Sequence, residues 1–210
     1  MYGKTLKKKG KHHFWVRILE HTTLAVRKAE TRAKLKQIRA SIPAEMHTLY
    51  SKTITRNLLS LPEMQTARTI FLFISYGNEV HTHELLKYFL NEGKILAVPK
   101  ILPTKTMIAV PFSRWTDLVP GELGILTPSG NIPHAGDFDV VITPGLGFSP
   151  EGHRIGYGRG YYDKWFASHK VNHKIAITFE EQIMAKLPVD DSDIMMDIIV
   201  TEKRIIKTKL

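Results

Sequence analysis

"FDVVITPGLGFSPEGHRIGYGRGYYDKWF", residues 138–166, runs from a strand through a glycine-rich loop into a helix. Phe138–Thr143 is apolar or β-branched at every position but Asp139. A strand with one wet face would alternate, so this one is expected to be covered on both faces, as in a parallel sheet. Glycines then crowd the chain at 145, 147, 152, 156, 158 and 160. The tyrosine pair that follows opens a helix expected to reach about residue 169.

Outward from this stretch the same alternation repeats. "ARTIFLFIS" (67–75), "KILAVPK" (94–100), "MIAVPF" (107–112), "KIAITF" (174–179) and "MDIIVTE" (196–202) read as further buried strands. Helices are expected over about 24–40, over about 42–60 with Ser41 as cap and Pro43 in the first turn, over 82–93 with Thr82 as cap and Gly93 as stop, and briefly at 180–187. Residues 113–136, rich in glycine and proline, read mostly as loop. Strands alternating with helices predict a single three-layer α/β/α domain on a mainly parallel open sheet. In such sheets ligands sit beyond the carboxyl ends of the strands. Three unusual loops leave such ends: 75–83, 144–160 and 179–193.

The 210-residue chain has no cysteine, which removes disulfides and thiolate chemistry and fits a cytoplasmic protein. No apolar run is long enough to span a bilayer. The formal net charge is +10, yet residues 1–40 carry 12 Lys/Arg against 2 Asp/Glu, while 41–210 are balanced. The basicity therefore belongs to a front segment rather than to a stripe across the domain, and no nucleic-acid partner is expected. Residues 1–24 read as a solvated basic extension with 1–13 as a loose tail, contact with a polyanion being the alternative; 25–210 form the domain. A targeting peptide would need an apolar segment after the lysines. On the helix at 24–40, Lys28, Arg32 and Arg39 fall near one face.

Gly156, Gly158 and Gly160 alternate with Tyr157 and Arg159. Such a loop can turn several N–H groups inward as an anion nest, reinforced by the helix behind it and by Arg154 and Arg159. Asp163, in the first turn, either caps the helix or holds a Mg²⁺ that bridges phosphates. The spacing fits neither the Walker A loop nor the dinucleotide fingerprint. The alternative is a glycine-rich turn under the sheet, with Tyr161 and Tyr162 as core aromatics. His81 and His83 alternate sides of an extended chain, which argues against zinc.

"PGLGFSPEGHRIGYGRGYYDKWF" resembles the signature of the 5-formyltetrahydrofolate cyclo-ligases, also called 5,10-methenyltetrahydrofolate synthetases. "KAETR", "YGNEV", "ILAVPK", "LGILTP" and "LPVDDSDIMMDIIVTE" extend the resemblance over about residues 25–206. It implies a monomeric enzyme of one-carbon metabolism that converts ATP and 5-formyltetrahydrofolate to ADP, phosphate and 5,10-methenyltetrahydrofolate with Mg²⁺. By resemblance, Lys28, Arg32, Arg154, Gly156, Gly158, Arg159, Gly160, Tyr161 and Tyr162 meet ATP, with Arg154 and Lys28 catalytic. Ile74, Glu79, Tyr157, Gly158, Arg159, Gly160 and Tyr161 meet the folate, with Glu79 on the pterin. Asp163 and Asp193 are the implied metal ligands. Three positions depart from the pattern: Ser149 and His81 each replace a usual aspartate, and Ile125 stands where some members stack an aromatic on the folate.

Overall fold

The computed structural model describes the backbone of residues 7–121 and 124–208, with side chains from Thr23 onward. Seven strands form the main sheet in the order β11-β10-β9-β6-β1-β2-β3. These are β1 (Thr69–Leu72), β2 (Ile95–Ile101), β3 (Met107–Phe112), β6 (Phe138–Thr143), β9 (Val171–Ile177), β10 (Ile198–Val200) and β11 (Ile205–Lys207). The run from β10 to β2 is parallel. The two edges, β3 and β11, are antiparallel.

Both faces are covered, which is why the strands read as unbroken apolar runs. Ile70, Leu72, Val140, Ile142, Ile175 and Ile177 pack into one core with Leu58, Leu85 and Phe89. The last three come from α2 (Ala44–Leu59) and α4 (His83–Asn91). Phe71, Val141, Ala176 and Ile199 face the other way, onto Trp165 and Phe166 of α5 (Tyr161–Phe166). Period-two alternation thus splits each strand between two apolar layers.

Several expected boundaries move. α1 spans Lys7–Ala40, so helical backbone extends well before residue 24; of the expected loose tail, residues 1–6 lie outside the described residues. Ser41 does not cap α2: its hydroxyl bonds back to Ile38 O, and Pro43 takes the cap position. Thr82 does start α4, but its hydroxyl donates to Phe73 O and accepts from Ser75 N, tying down the loop after β1. α5 stops at Phe166 because Ser168 and His169 N–H groups turn to carbonyls three residues back. The expected helix at 180–187 is a single 3₁₀ turn, Glu180–Gln182, because Ile183 bridges Phe148 and Met184 N bonds Phe148 O. The 113–136 segment contains a short antiparallel ribbon of β4 (Leu118–Pro120) and β5 (Leu126–Pro128). α3 (Pro62–Thr66) leads into β1.

A third, smaller core docks α1 onto the chain that follows β6. Leu35, fully buried, packs with Leu146, Ile155 and Leu187. A side chain at residue 147 would place its Cβ 2.5 Å from Leu35 Cδ1, so the helix approaches only because Gly147 has none. Leu35→Ala is expected to cost about 2–5 kcal/mol in urea unfolding, the range for a buried leucine whose site collapses incompletely. A loss under about 1 kcal/mol would mean that α1 is not anchored here.

Candidate active site

The chain leaves β1 toward β2 on one side and later builds β6, β9 and β10 on the other, so β1 and β6 flank the point where strand order reverses. The loops leaving these two strands carry Glu79 and the glycine stretch. Within the latter, β7 (Gly147–Phe148) pairs antiparallel with β8 (Arg154–Ile155). The turn between them needs Gly152, at φ +100°, whose Cβ would fall 2.6 Å from Met196 O. This hairpin folds Arg154 back over the strand ends, where it is 7% exposed.

Arg154 Nη2 donates to Asp163 Oδ1 at 2.7 Å, and its guanidinium carbon lies 5.7 Å from the centre of the Tyr162 ring. A Cβ on residue 156 would sit 2.8 Å from Arg154 Nη1, so the loop runs alongside the guanidinium because it is glycine there. Gly158 and Gly160 take φ of +99° and +64°, in the left-handed range that favours glycine. Arg159 is exposed. Tyr161 and Tyr162 pack against the α5-side core; the Tyr162 ring stacks on Phe71, and its hydroxyl is buried without a partner among the described residues. Burial pushes the Tyr162 phenol pKa up.

α1 lays three cations along the glycine loop and the 190–193 loop. Lys28 Nζ bonds both Asp190 Oδ2 and Asp193 Oδ2 at 2.6 Å. Arg32 Nε donates to Gly156 O at 3.1 Å. Arg39 Nη2 donates to Tyr157 Oη at 2.6 Å, and Tyr157 Oη donates to Glu79 Oε1 at 2.8 Å. Burial, then the charge of Glu79, pushes the Tyr157 phenol up to about 12, against a smaller opposing effect of Arg39, so the hydroxyl remains a donor at neutral pH. Arg39 and Glu79 line a small cleft with Phe73, Val80, Gly145 and Gln182. Ile74 is buried in the core, and the cleft wall is made by its neighbours Phe73 and Val80.

The structure thus joins Lys28 to Asp193, Arg154 to Asp163 and Glu79 to Tyr157. Asp163 Oδ1 also accepts Ile194 N–H at 3.4 Å, which ties the helix α5 to the loop of Asp193. Sequence reasoning passed over Asp190, whose signal was the acidic "DDSD" run. It also passed over Gln182, which had no signal: its amide is buried and donates to Leu146 O.

Hydrogen bonds from Lys28 and then Ser192 hold the Asp190 carboxyl far below the usual carboxylate range. Burial opposes the charge on Lys28, but the hydrogen bonds and charges of Asp190 and Asp193 together outweigh it and raise its pKa. The depressed carboxyl contributes stability above its unfolded-state pKa and loses it as pH falls toward its folded value. The raised ammonium contributes below its unfolded-state pKa and loses it as pH rises through its folded value. The destabilisation caused by Asp190→Asn should therefore be constant across neutral pH and shrink below roughly pH 4. Urea unfolding of both proteins at several pH values tests this; a difference that persists undiminished in acid would remove the Lys28 pairing as its cause.

The model of the 5-formyltetrahydrofolate cyclo-ligase family matches residues 25–202. The mouse 5-formyltetrahydrofolate cyclo-ligase is 29% identical over 189 residues, covering 81% of this chain and 91% of the mouse protein. The Escherichia coli K12 protein of the same name is 26% identical over 174 residues, 80% of this chain and 95% of its own length. The NMR structure of Aquifex aeolicus 5,10-methenyltetrahydrofolate synthetase superimposes with a TM-score of 0.77 at 29% identity, covering 87% of this chain and 93% of that one. A match that runs from the cationic helix to the last parallel strand makes this chain a member of the 5-formyltetrahydrofolate cyclo-ligase family.

Proposed function

We propose that this chain converts 5-formyltetrahydrofolate to 5,10-methenyltetrahydrofolate with ATP and Mg²⁺, releasing ADP and phosphate. The observation that supports it most is the cationic setting of the glycine loop: Arg32 bonds Gly156 O, Arg154 lies against Gly156, and Lys28 bonds the aspartates of the 190–193 loop, while Glu79 lines a cleft with Arg39. An amide oxygen is a poor leaving group in water, so ring closure needs it activated. The N5-formyl oxygen attacks the γ-phosphorus of ATP, and the bond to the β–γ bridging oxygen breaks to release ADP. N10 then attacks the formyl carbon, phosphate leaves with the C–O electron pair, and N10 gives its proton to solvent.

In this reading Lys28, Arg32, Arg154 and Arg159 face the phosphate oxygens, and Lys28 and Arg154 stabilise charge that develops on the transferred group. The loop from Gly156 to Tyr162 cradles the nucleotide. Tyr157, Gly158, Arg159, Gly160 and Tyr161 are shared with the folate, with Ile74 in the core behind the cleft wall. Glu79 accepts the paired 2-amino and N3–H donors of the pterin. Asp163 engages Arg154 through Oδ1, and Asp193 engages Lys28 through Oδ2. The second oxygen of each has no hydrogen bond among the described residues, and no group of three or more His, Asp or Glu there could hold a metal. Two carboxylates completed by phosphates and water suit Mg²⁺, so the residues fit. When bound, Mg²⁺ would supply charge neutralisation on the phosphates.

Among the described residues no helix is long and apolar enough to cross a membrane. We take the enzyme to be a cytoplasmic monomer, with residues 1–24 outside the catalytic domain.

Mixing the protein with ATP, Mg²⁺ and 5-formyltetrahydrofolate should raise the methenyl absorbance; folded protein giving no more than the uncatalysed rate would rule the activity out. Arg154→Ala should lower turnover about 100-fold or more, and near-normal turnover would remove Arg154 from the reaction. Deleting residues 1–20 should leave activity largely intact, whereas collapse would place the front segment in the site.

A further inference from the structure

Arg39 is the third cation on the face of α1 that carries Lys28 and Arg32, and the phosphate chemistry leaves it without a task. It is only 7% exposed, a depth at which arginine is rare unless paired. Yet its pairing is incomplete. Nη2 reaches Tyr157 Oη, but Nη1 stands 4.0 Å from Glu79 Oε1, beyond hydrogen-bond range, and Nε is buried without a partner among the described residues. Tyr157 Oη spans the gap, accepting from Arg39 and donating to Glu79. A buried group left unsatisfied calls for a reason, and Arg39 lines the cleft together with Glu79.

The geometry points to Arg39 as a positioning residue for the folate: it holds Glu79 through the Tyr157 hydroxyl, and pairs with Glu79 directly when the substrate displaces that hydroxyl. This rests on Glu79 being the acceptor of the pterin donors. The exchange leaves neither Glu79 nor Arg39 poorer, and Tyr157, 48% exposed, gives its hydroxyl to solvent. Glu79 trades one phenol donor for two from the ligand. Arg39 trades a phenol oxygen for a carboxylate oxygen, a stronger acceptor for a guanidinium. Tyr157 is then a placeholder, and because it lies between Gly156 and Gly158, folate entry also releases the middle of the nucleotide loop.

The test is equilibrium binding of 5-formyltetrahydrofolate to the full chain without ATP, followed by tryptophan fluorescence, beside a parallel titration with ATP. Arg39→Met should weaken folate binding about 10-fold or more, as expected for losing a hydrogen bond to a charged group, with ATP affinity nearly unchanged. Arg39→Lys should recover part of the loss. Tyr157→Phe keeps the ring and removes the placeholder, so folate should bind more tightly. Equal loss for both ligands, no loss in Arg39→Met, or weaker folate binding in Tyr157→Phe would overturn the proposal. If Arg39→Met does not fold, Arg39→Lys and Tyr157→Phe decide by the same criteria. Should Glu79→Gln abolish folate binding while Arg39→Met does not weaken it, the role of Arg39 alone falls. Failure of the unaltered chain to bind folate would remove the proposed function, and this role with it.

Discussion

Leu35 occupies the space that a side chain at residue 147 would need, and the rest of the site follows from that contact. It fixes both the height and the rotation of α1 over the chain leaving β6. With Leu35 inserted, residues three, four and seven positions away along the helix look the same way. Arg32 therefore meets Gly156 O, and Arg39 meets Tyr157. Lys28, a further turn back, meets the aspartates of the 190–193 loop. One apolar contact thus sets the register of three cations against two segments, the 156–157 loop and the 190–193 loop.

Three cations of the site have an acidic counterpart from another element: Lys28 with Asp190 and Asp193, Arg154 with Asp163, Arg39 with Glu79 through a phenol. Removing charges from water costs several kcal/mol per ion, and pairing offsets most of this without a large surplus. The pairs are therefore better understood as organising the site than as holding the fold, whose stability rests on the two sheet-face cores. In the site these three cations face four carboxylates, so each is already engaged. A polyanionic substrate entering it has to exchange partners with carboxylates already in place, which makes the exchange sensitive to the reach of each side chain.

The strands were legible because burial on both faces leaves a local mark, an apolar run with no alternation. Element ends were less so. The stretch at 180–187 has helical composition, yet Ile183 and Met184 pair with Phe148, a partner more than thirty residues away that no local pattern records. Likewise β11, a three-residue edge strand, exists because β10 offers it an antiparallel partner. In the site, the glycines and their arginines stood out as a motif, and the cationic face of α1 as a spacing. The roles of Asp190, Gln182 and Arg39 did not, since each is defined by what it touches across 36 to 162 residues of chain.

The sequence by itself determined the layered α/β architecture, the family, and the set of charged and glycine residues available to the site, because periodicity and motif are local properties of a chain. Only the tertiary structure decided which cation meets which carboxylate, and that Tyr157 stands between Arg39 and Glu79. Those pairings depend on how α1 docks on the chain that follows β6. That docking includes Leu35 against Gly147, a steric fit between residues 112 positions apart, and no local pattern encodes it.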